Sequence, residues 1–297
     1  MFEVFSGFDH AVMQAVQSIS EWGAPVLDKI FLVLTFLGEE TCVIILLIAV
    51  YWCCDKRTGE SMLFSFYTAM CANGILKDVL CRPRPFLNPE FSDLRYVKVD
   101  TALVNTAGLG SSYSFPSGHA QTAGSIYGSL AHGHGAGGWI AAVAVTLLVM
   151  VSRIYLGVHY PTDTIAGAVL GLVLALICSA LMHHFYEHKV LLMLIAVVLS
   201  GASLFLNPTL DTIKMLGLGV GVIAGMAMED AWVDFRTDGR FAAKLLRLVL
   251  GFVLIMAIRL GLKAVFPDLF WFHALRYALM GFAATCLWPF IFTKLGR

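Results

Sequence analysis

Lys77 stands seven residues before Arg84-Pro85, within KDVLCRPRP. Pro116-Ser117-Gly118-His119 follows, and then Ser152-Arg153, His159 and Asp163 within SRIYLGVHYPTD. Three cations, two histidines, a carboxylate and a glycine turn suit one kind of chemistry, the handling of a phosphoryl group. Phosphoryl transfer spreads negative charge over three equatorial oxygens, and fixed cations stabilise that charge. Arg84 and Arg153 offer planar forks that match phosphate, and Lys77 adds a point charge. Pro116 precedes a predicted helix starting near Ser117. Gly118 there lets the backbone approach closely, the first N–H groups favour an anion, and the Ser117 hydroxyl adds one more donor. His159 and Asp163 are four apart, with Pro161 placed to open a helix at its first turn. The carboxylate can then reach the preceding imidazole, fix its tautomer and leave Nε2 free to attack.

The elements that position these groups are apolar. Of 297 residues 59% are hydrophobic and 13% charged, with a mean hydropathy of +0.80. A soluble domain carries about 25% charged residues, so most of this chain's solvent is lipid. Net charge is zero and the pI is about 7.1, which gives no footprint for nucleic acid. The seven cysteines lie mostly inside apolar runs and none has zinc spacing, so they read as small fillers. MFEVFSGFDH has no basic stretch and no apolar core of its own, unlike a cleavable signal.

A helix needs about twenty apolar residues to cross a bilayer. Residues 8–20 are too polar and short, and the spacing of Phe8, Val12, Ala15, Val16 and Ile19 predicts an amphipathic helix lying at the interface. Residues 25–37 predict a short apolar helix broken by Gly38-Glu39-Glu40. Spans are predicted at 41–54, 60–80, 118–134, 138–156, 162–182, 189–206, 211–229, 242–264 and 271–293. Counting sides along these spans brings all three motifs to one face. The opposite face carries Lys56, Arg57, Lys189, Arg236, Arg240, Lys294 and Arg297. By the positive-inside rule that face is cytoplasmic and the motifs lie outside. The polar stretch 86–115 links two motifs and reads as a lid or rim.

Together the motifs resemble those of the type-2 phosphatidic acid phosphatase superfamily. K-x6-RP is met by Lys77, Arg84 and Pro85, PSGH by residues 116 to 119, and SR-x5-H-x3-D by Ser152, Arg153, His159 and Asp163. The resemblance implies an all-α, polytopic membrane bundle, with a six-helix phosphatase core and about three further C-terminal spans. The corresponding division is an interfacial segment at 1–24, the catalytic core at 25–206 and additional membrane helices at 207–297. It further implies His159 as the nucleophile of a phosphohistidine intermediate, and His119 as the acid that protonates the leaving oxygen and then the base for water. Asp163 steadies His159, while Lys77, Arg84, Ser117, Gly118 and Arg153 bind phosphate. No metal or other cofactor is implied, because the cations fill the electrostatic role. The expected partners are a phosphorylated lipid substrate and membrane lipids, with 207–297 also able to serve as a homodimer face. Three other readings stay open: a phosphotransferase on the same site, a sugar-phosphate phosphatase, and a non-catalytic lipid-binding membrane protein.

Other polar residues read more plainly. His132 and His134 fall in a glycine-rich turn, and His183, His184 and His188 look interfacial. Arg259, Lys263 and Arg276 sit near span ends and suit snorkelling to headgroups. Arg82 lies between motif residues but outside the family pattern and receives no role.

Overall fold

The computed structural model describes residues 2–97, 112–205 and 209–295. The 98–111 part of the predicted lid therefore lies outside the described residues. Among the described residues every regular element is helical. They are α1 Ser6–Ser18, α2 Ala24–Phe36, α3 Glu40–Ala49, α4 Lys56–Leu80, α5 Gly118–Ala131, α6 Gly135–Tyr155 and α7 Pro161–His184. α8 Lys189–Ala202, α9 Leu210–Met228, α10 Phe241–Val265, α11 Phe270–Phe282 and α12 Trp288–Leu295 complete the order.

Six helical stretches are long and apolar enough to cross a membrane, and seven if Ala24–Phe36 and Glu40–Cys54, bent by 46°, form one broken span. The sequence reading of nine spans differs at three places. The 25–37 and 41–54 segments form that bent pair. α4 is long enough, at 25 residues, but carries too many polar groups to qualify by hydropathy. α5 has only 14 residues, or about 21 Å, less than the thickness of a hydrocarbon core. Both helices carry site residues, and polar side chains that serve chemistry lower a helix's hydropathy.

The chain divides into two compact units, Met1–Ile44 with Ala72–Ser179, and Ile45–Cys71 with Ala180–Arg297. They cut the sequence differently from contiguous segments at 1–24, 25–206 and 207–297. In the first unit α5 and α7 cross at close range through small residues. A Cβ on Gly167 would lie 2.5 Å from the Ser117 carbonyl, and one on Gly124 2.8 Å from the Ala168 carbonyl. Gly171 likewise faces the Gln121 carbonyl. Without a hydrophobic force between helices in lipid, such backbone approach is how membrane helices gain dispersion energy. α1 turns its buried line, Asp9, Met13 and Gln17, inward, while Phe8 and Ile19 of the predicted apolar face are exposed. Gln17 accepts the Arg95 N–H at 2.9 Å and donates to the Arg95 and Tyr155 carbonyls.

The second unit repeats the small-residue device. Gly217, Gly221 and Gly225 of α9 face Ala274, Ala278 and Thr285. Its charged groups form a closed network: Lys189 donates to Glu60 and Asp230 at 2.7 Å each, and Lys56 pairs with Glu229. Glu60, Glu229 and Asp230 are the one acidic group close enough to share a cation among the described residues. Lys56 and Lys189 offset two of its three charges. His183, His184 and His188 are exposed. Arg276 is buried and bonds His273 at 3.0 Å, so it does not snorkel.

Candidate active site

The first unit brings every residue singled out from the motifs to one end of its helices. Lys77 ends α4, Arg84 follows in the loop, Ser117 to His119 open α5, Arg153 ends α6, and Asp163 lies in the first turn of α7. His159 stands in the short link between α6 and α7. Gly157 in that link has φ +73°, a left-handed turn that glycine adopts without a Cβ clash, and its missing Cβ leaves room for the Arg95 carbonyl.

His159 is 1% exposed and is held from both ends. Arg84 Nη1 lies 3.2 Å from its Nε2. A guanidinium only donates, so Nε2 carries the lone pair and the proton sits on Nδ1. On that side stand Ser114 Oγ at 3.3 Å and Asp163 Oδ2 at 3.5 Å. Ser114 also donates to Asp163 Oδ2, which accepts the Tyr160 N–H at 3.1 Å as well. Burial first, then the positive Arg84, Arg153 and Lys77 and finally His119, hold the His159 imidazole well below its ordinary value of 6.5. Burial brings Arg84 down to about 10, partly opposed by Asp163, so it remains a cation at neutral pH.

The phosphate-binding candidates surround this imidazole. Arg84 is fixed by the Val158 carbonyl at 3.0 Å and by Ser112, through its carbonyl at 3.0 Å and its hydroxyl at 2.7 Å. Arg153 donates to Thr35 Oγ1 at 2.9 Å. A Cβ on Gly118 would lie 3.8 Å from Lys77 Nζ, which places the ammonium over the α5 N-terminus. The Ser117 N–H is not free for an anion: it donates to the Asp163 carbonyl at 3.0 Å. Gly118, His119 and Ala120 begin the helix, and their N–H groups have no intrahelical acceptor. Two buried polar atoms of the cluster, Ser117 Oγ and Arg153 Nε, have no hydrogen-bond partner. Buried donors are rarely left so, and both belong to motif residues.

Five residues with no role in the sequence reading complete the site. Glu39 accepts from His119 Nε2 at 2.7 Å, and these side chains are 22% and 23% exposed where His159 is 2%, so they form the open edge. The Gly38 break predicted between α2 and α3 explains the approach: a Cβ there would lie 2.8 Å from the His119 carbonyl. Asn73 donates to the Pro116 carbonyl at 3.2 Å and to Gln121 at 2.8 Å, tying α4 to α5. Its signal was visible as a polar residue one turn before Lys77 in an apolar helix. Ser114, Asp9 and Arg82 gave no such signal. Arg82 is 4% exposed and binds Asp163 Oδ1 at 2.6 Å and Asp9 Oδ2 at 2.7 Å.

Comparisons with known proteins give the family. A model of the PAP2 superfamily matches residues 60–187, and one of the PAP2 superfamily phosphatase transmembrane extension matches residues 213–297. Phosphatidylglycerophosphatase B of Bacillus subtilis is 30% identical over 180 residues, 56% of this chain and 79% of that protein. An undecaprenyl-diphosphatase of Sulfolobus acidocaldarius is 32% identical over 118 residues, 39% of this chain and 51% of that protein. Sphingosine-1-phosphate phosphatase 1 of Mus musculus is 23% identical over 317 residues, 88% of this chain and 71% of that protein. The crystal structure of a transmembrane PAP2 type phosphatidylglycerolphosphate phosphatase from Bacillus subtilis superposes with a TM-score of 0.49 at 26% identity, covering 62% of this chain and 88% of that one. The chain belongs to the PAP2 superfamily and is a multi-pass membrane hydrolase acting on phosphoric-ester bonds.

Proposed function

We propose that the protein removes phosphate from a lipid phosphomonoester or pyrophosphate, without a metal, through a phosphohistidine on His159. The observation that carries this reading is the pair of contacts on one imidazole. Arg84 faces Nε2, and Asp163 with Ser114 holds the Nδ1 proton. In the first step Nε2 attacks phosphorus, the bond to the leaving oxygen breaks, and His119 gives that oxygen a proton. In the second, water attacks phosphorus, His119 takes its proton, and the nitrogen–phosphorus bond breaks to release inorganic phosphate. Asp163 stabilises the imidazolium character that develops on His159. Lys77, Arg84 and Arg153, the α5 N-terminus and the two unpartnered atoms of Ser117 and Arg153 take the equatorial oxygens. Three fixed cations supply the charge that a metal would.

The lipid class is supported by the apolar composition, by the site's place at helix ends, and by the named substrates of the three relatives. Residues 25–206 are the proposed catalytic core, with 1–24 an interfacial segment and 207–297 an added membrane region. The lysine and arginine distribution along the sequence supports a site on the extracytoplasmic face. Phosphate release by the purified protein in detergent tests the activity, with phosphatidate, phosphatidylglycerophosphate, a polyprenyl pyrophosphate, a sphingoid phosphate and glucose 6-phosphate as substrates. Release from a lipid without any acceptor is expected, and His159→Ala should abolish it. Turnover restricted to glucose 6-phosphate, or undiminished in His159→Ala, would overturn the reading.

A further inference from the structure

We infer that Asp9, on the N-terminal helix, is a positioning residue for the reaction: through Arg82 it holds the Asp163 carboxylate that steadies His159. The inference rests on the phosphohistidine reading above.

Asp163 has two oxygens with separate duties. Oδ2 accepts from Ser114 and the Tyr160 N–H and faces His159 Nδ1. Oδ1 is bound by Arg82 Nη1 at 2.6 Å, which fixes the rotation of the carboxylate about its last bond. The orientation of Oδ2 toward the imidazole therefore depends on where Arg82 is held. The other arm of the Arg82 fork, Nη2, donates to Asp9 Oδ2 at 2.7 Å, and the guanidinium lies 3.7 Å from the Tyr160 ring centroid. Thr162, beside Asp163, closes the loop. Its hydroxyl accepts from Arg82 Nη1 at 2.7 Å and donates to Asp9 Oδ2 at 2.8 Å, and its N–H donates to Asp9 Oδ1 at 2.9 Å. Asp9 thus caps the first turn of α7 from another helix.

Asp9 and Asp163 are both 0% exposed and Arg82 is 4% exposed, so solvent does not stand in for any member of the chain. Docking α1 does not require a buried acid, because Met13 and Gln17 already anchor the same line of the helix. Asp9 instead balances Arg82. With one carboxylate on each arm, the guanidinium shares its charge between them. If the Asp9 charge is removed, the whole attraction falls on Asp163 and draws it toward Arg82, away from Nδ1.

Asp9→Asn keeps the size and the acceptor for the Thr162 N–H but loses the charge. Its kcat should fall about 10- to 100-fold, the range seen when groups behind a catalytic ligand are changed. KM and the inhibition constant for inorganic phosphate should stay within about twofold, since the proposed phosphate-binding groups are untouched. Asp9→Glu, which restores charge, should recover part of the rate. Arg82→Gln should fall at least as far as Asp9→Asn, and the double variant no further than Arg82→Gln alone, because both act along one chain. The exposed His10–Asp93 pair, at 3.0 Å, also ties α1 to the neighbouring loop. Asp93→Asn should leave kcat unchanged, separating docking from the Asp9 charge.

An Asp9→Asn kcat within about twofold of the parent would overturn the inference. So would a rise of KM and of the inorganic phosphate constant in step with the lost rate, or additive effects in the double variant. Loss of turnover in His159→Ala with full turnover in Asp9→Asn would sink this inference alone. Undiminished turnover in His159→Ala would remove the phosphohistidine reading and this inference with it.

Discussion

A nucleophilic imidazole must be neutral, and the surroundings of His159 favour that form. Burial and the neighbouring cations depress its proton affinity well below the ordinary 6.5. The sign of the pH dependence follows. The folded protein keeps His159 neutral at a pH where the unfolded chain already binds a proton. Stability from this group is therefore intact above about 6.5 and is lost as pH falls below that value toward the folded one. The acid limb of kcat/KM due to His159 should likewise lie below 6.5. A profile of kcat/KM measured from about pH 4 to 8 checks this. A limb centred above 6.5 that moves on substitution of Ser114 would assign the imidazole a different environment. Asp163→Asn retains shape but offers the Nδ1 proton a poorer acceptor. A drop of about 10³- to 10⁴-fold in kcat is expected, by analogy with other carboxylate–histidine pairs, with single-turnover kinetics as the readout.

At the scale of the helix, the site depends on how closely α7 approaches α5. The Ser117 N–H reaches the Asp163 carbonyl at 3.0 Å because Gly167 leaves no Cβ between the two backbones. Gly167→Ala puts a methyl 2.5 Å from the Ser117 carbonyl, a distance that forces the helices apart. Overpacking of this kind costs about 1–3 kcal/mol, and the same shift separates the start of α5, the proposed phosphate-binding end, from His159. Both melting temperature and kcat should fall. Gly74 of α4 offers the control, since a Cβ there would meet nothing within 4 Å. Gly74→Ala should be neutral, or stabilise by about 0.5–1 kcal/mol through helix propensity. Thermal melts in detergent beside phosphate-release rates distinguish the two positions. Equal losses at both would point to a general intolerance of these helices to change.

For the whole molecule, the proposed mechanism assigns charge stabilisation to Lys77, Arg84 and Arg153 and calls on no metal. EDTA should leave the rate unchanged, and vanadate, which mimics a pentacoordinate phosphorus, should inhibit competitively. Loss of activity in EDTA that magnesium restores would contradict the mechanism. Sidedness is tested on intact cells by labelling single cysteines placed in residues 229–241. Protection of that loop from an impermeant reagent is expected, and labelling would reverse the assignment.

The motif residues were legible in the sequence because phosphate chemistry constrains residue type and spacing over short stretches. The histidine and carboxylate four apart at the start of α7 are one such local pattern. Membrane helices were legible from α6 to α12, where a long, largely apolar run is itself the physical signal. The sequence also reads spans at α4 and α5, but α4 is too polar and α5, at 14 residues, too short to stand among the helices fit to cross a membrane. Sequence alone thus determined the chemistry available and the solvent in which most of the chain must fold. Only the tertiary structure decided which long-range partners complete it: Ser114 on Nδ1, Glu39 on His119, and Arg82 between Asp9 and Asp163. Arg82 bridges Asp9 and Asp163, which lie 154 positions apart, through two buried hydrogen bonds. A pairing at such separation leaves no periodicity in the chain, because it is set by how the helices cross and not by the spacing along any one of them.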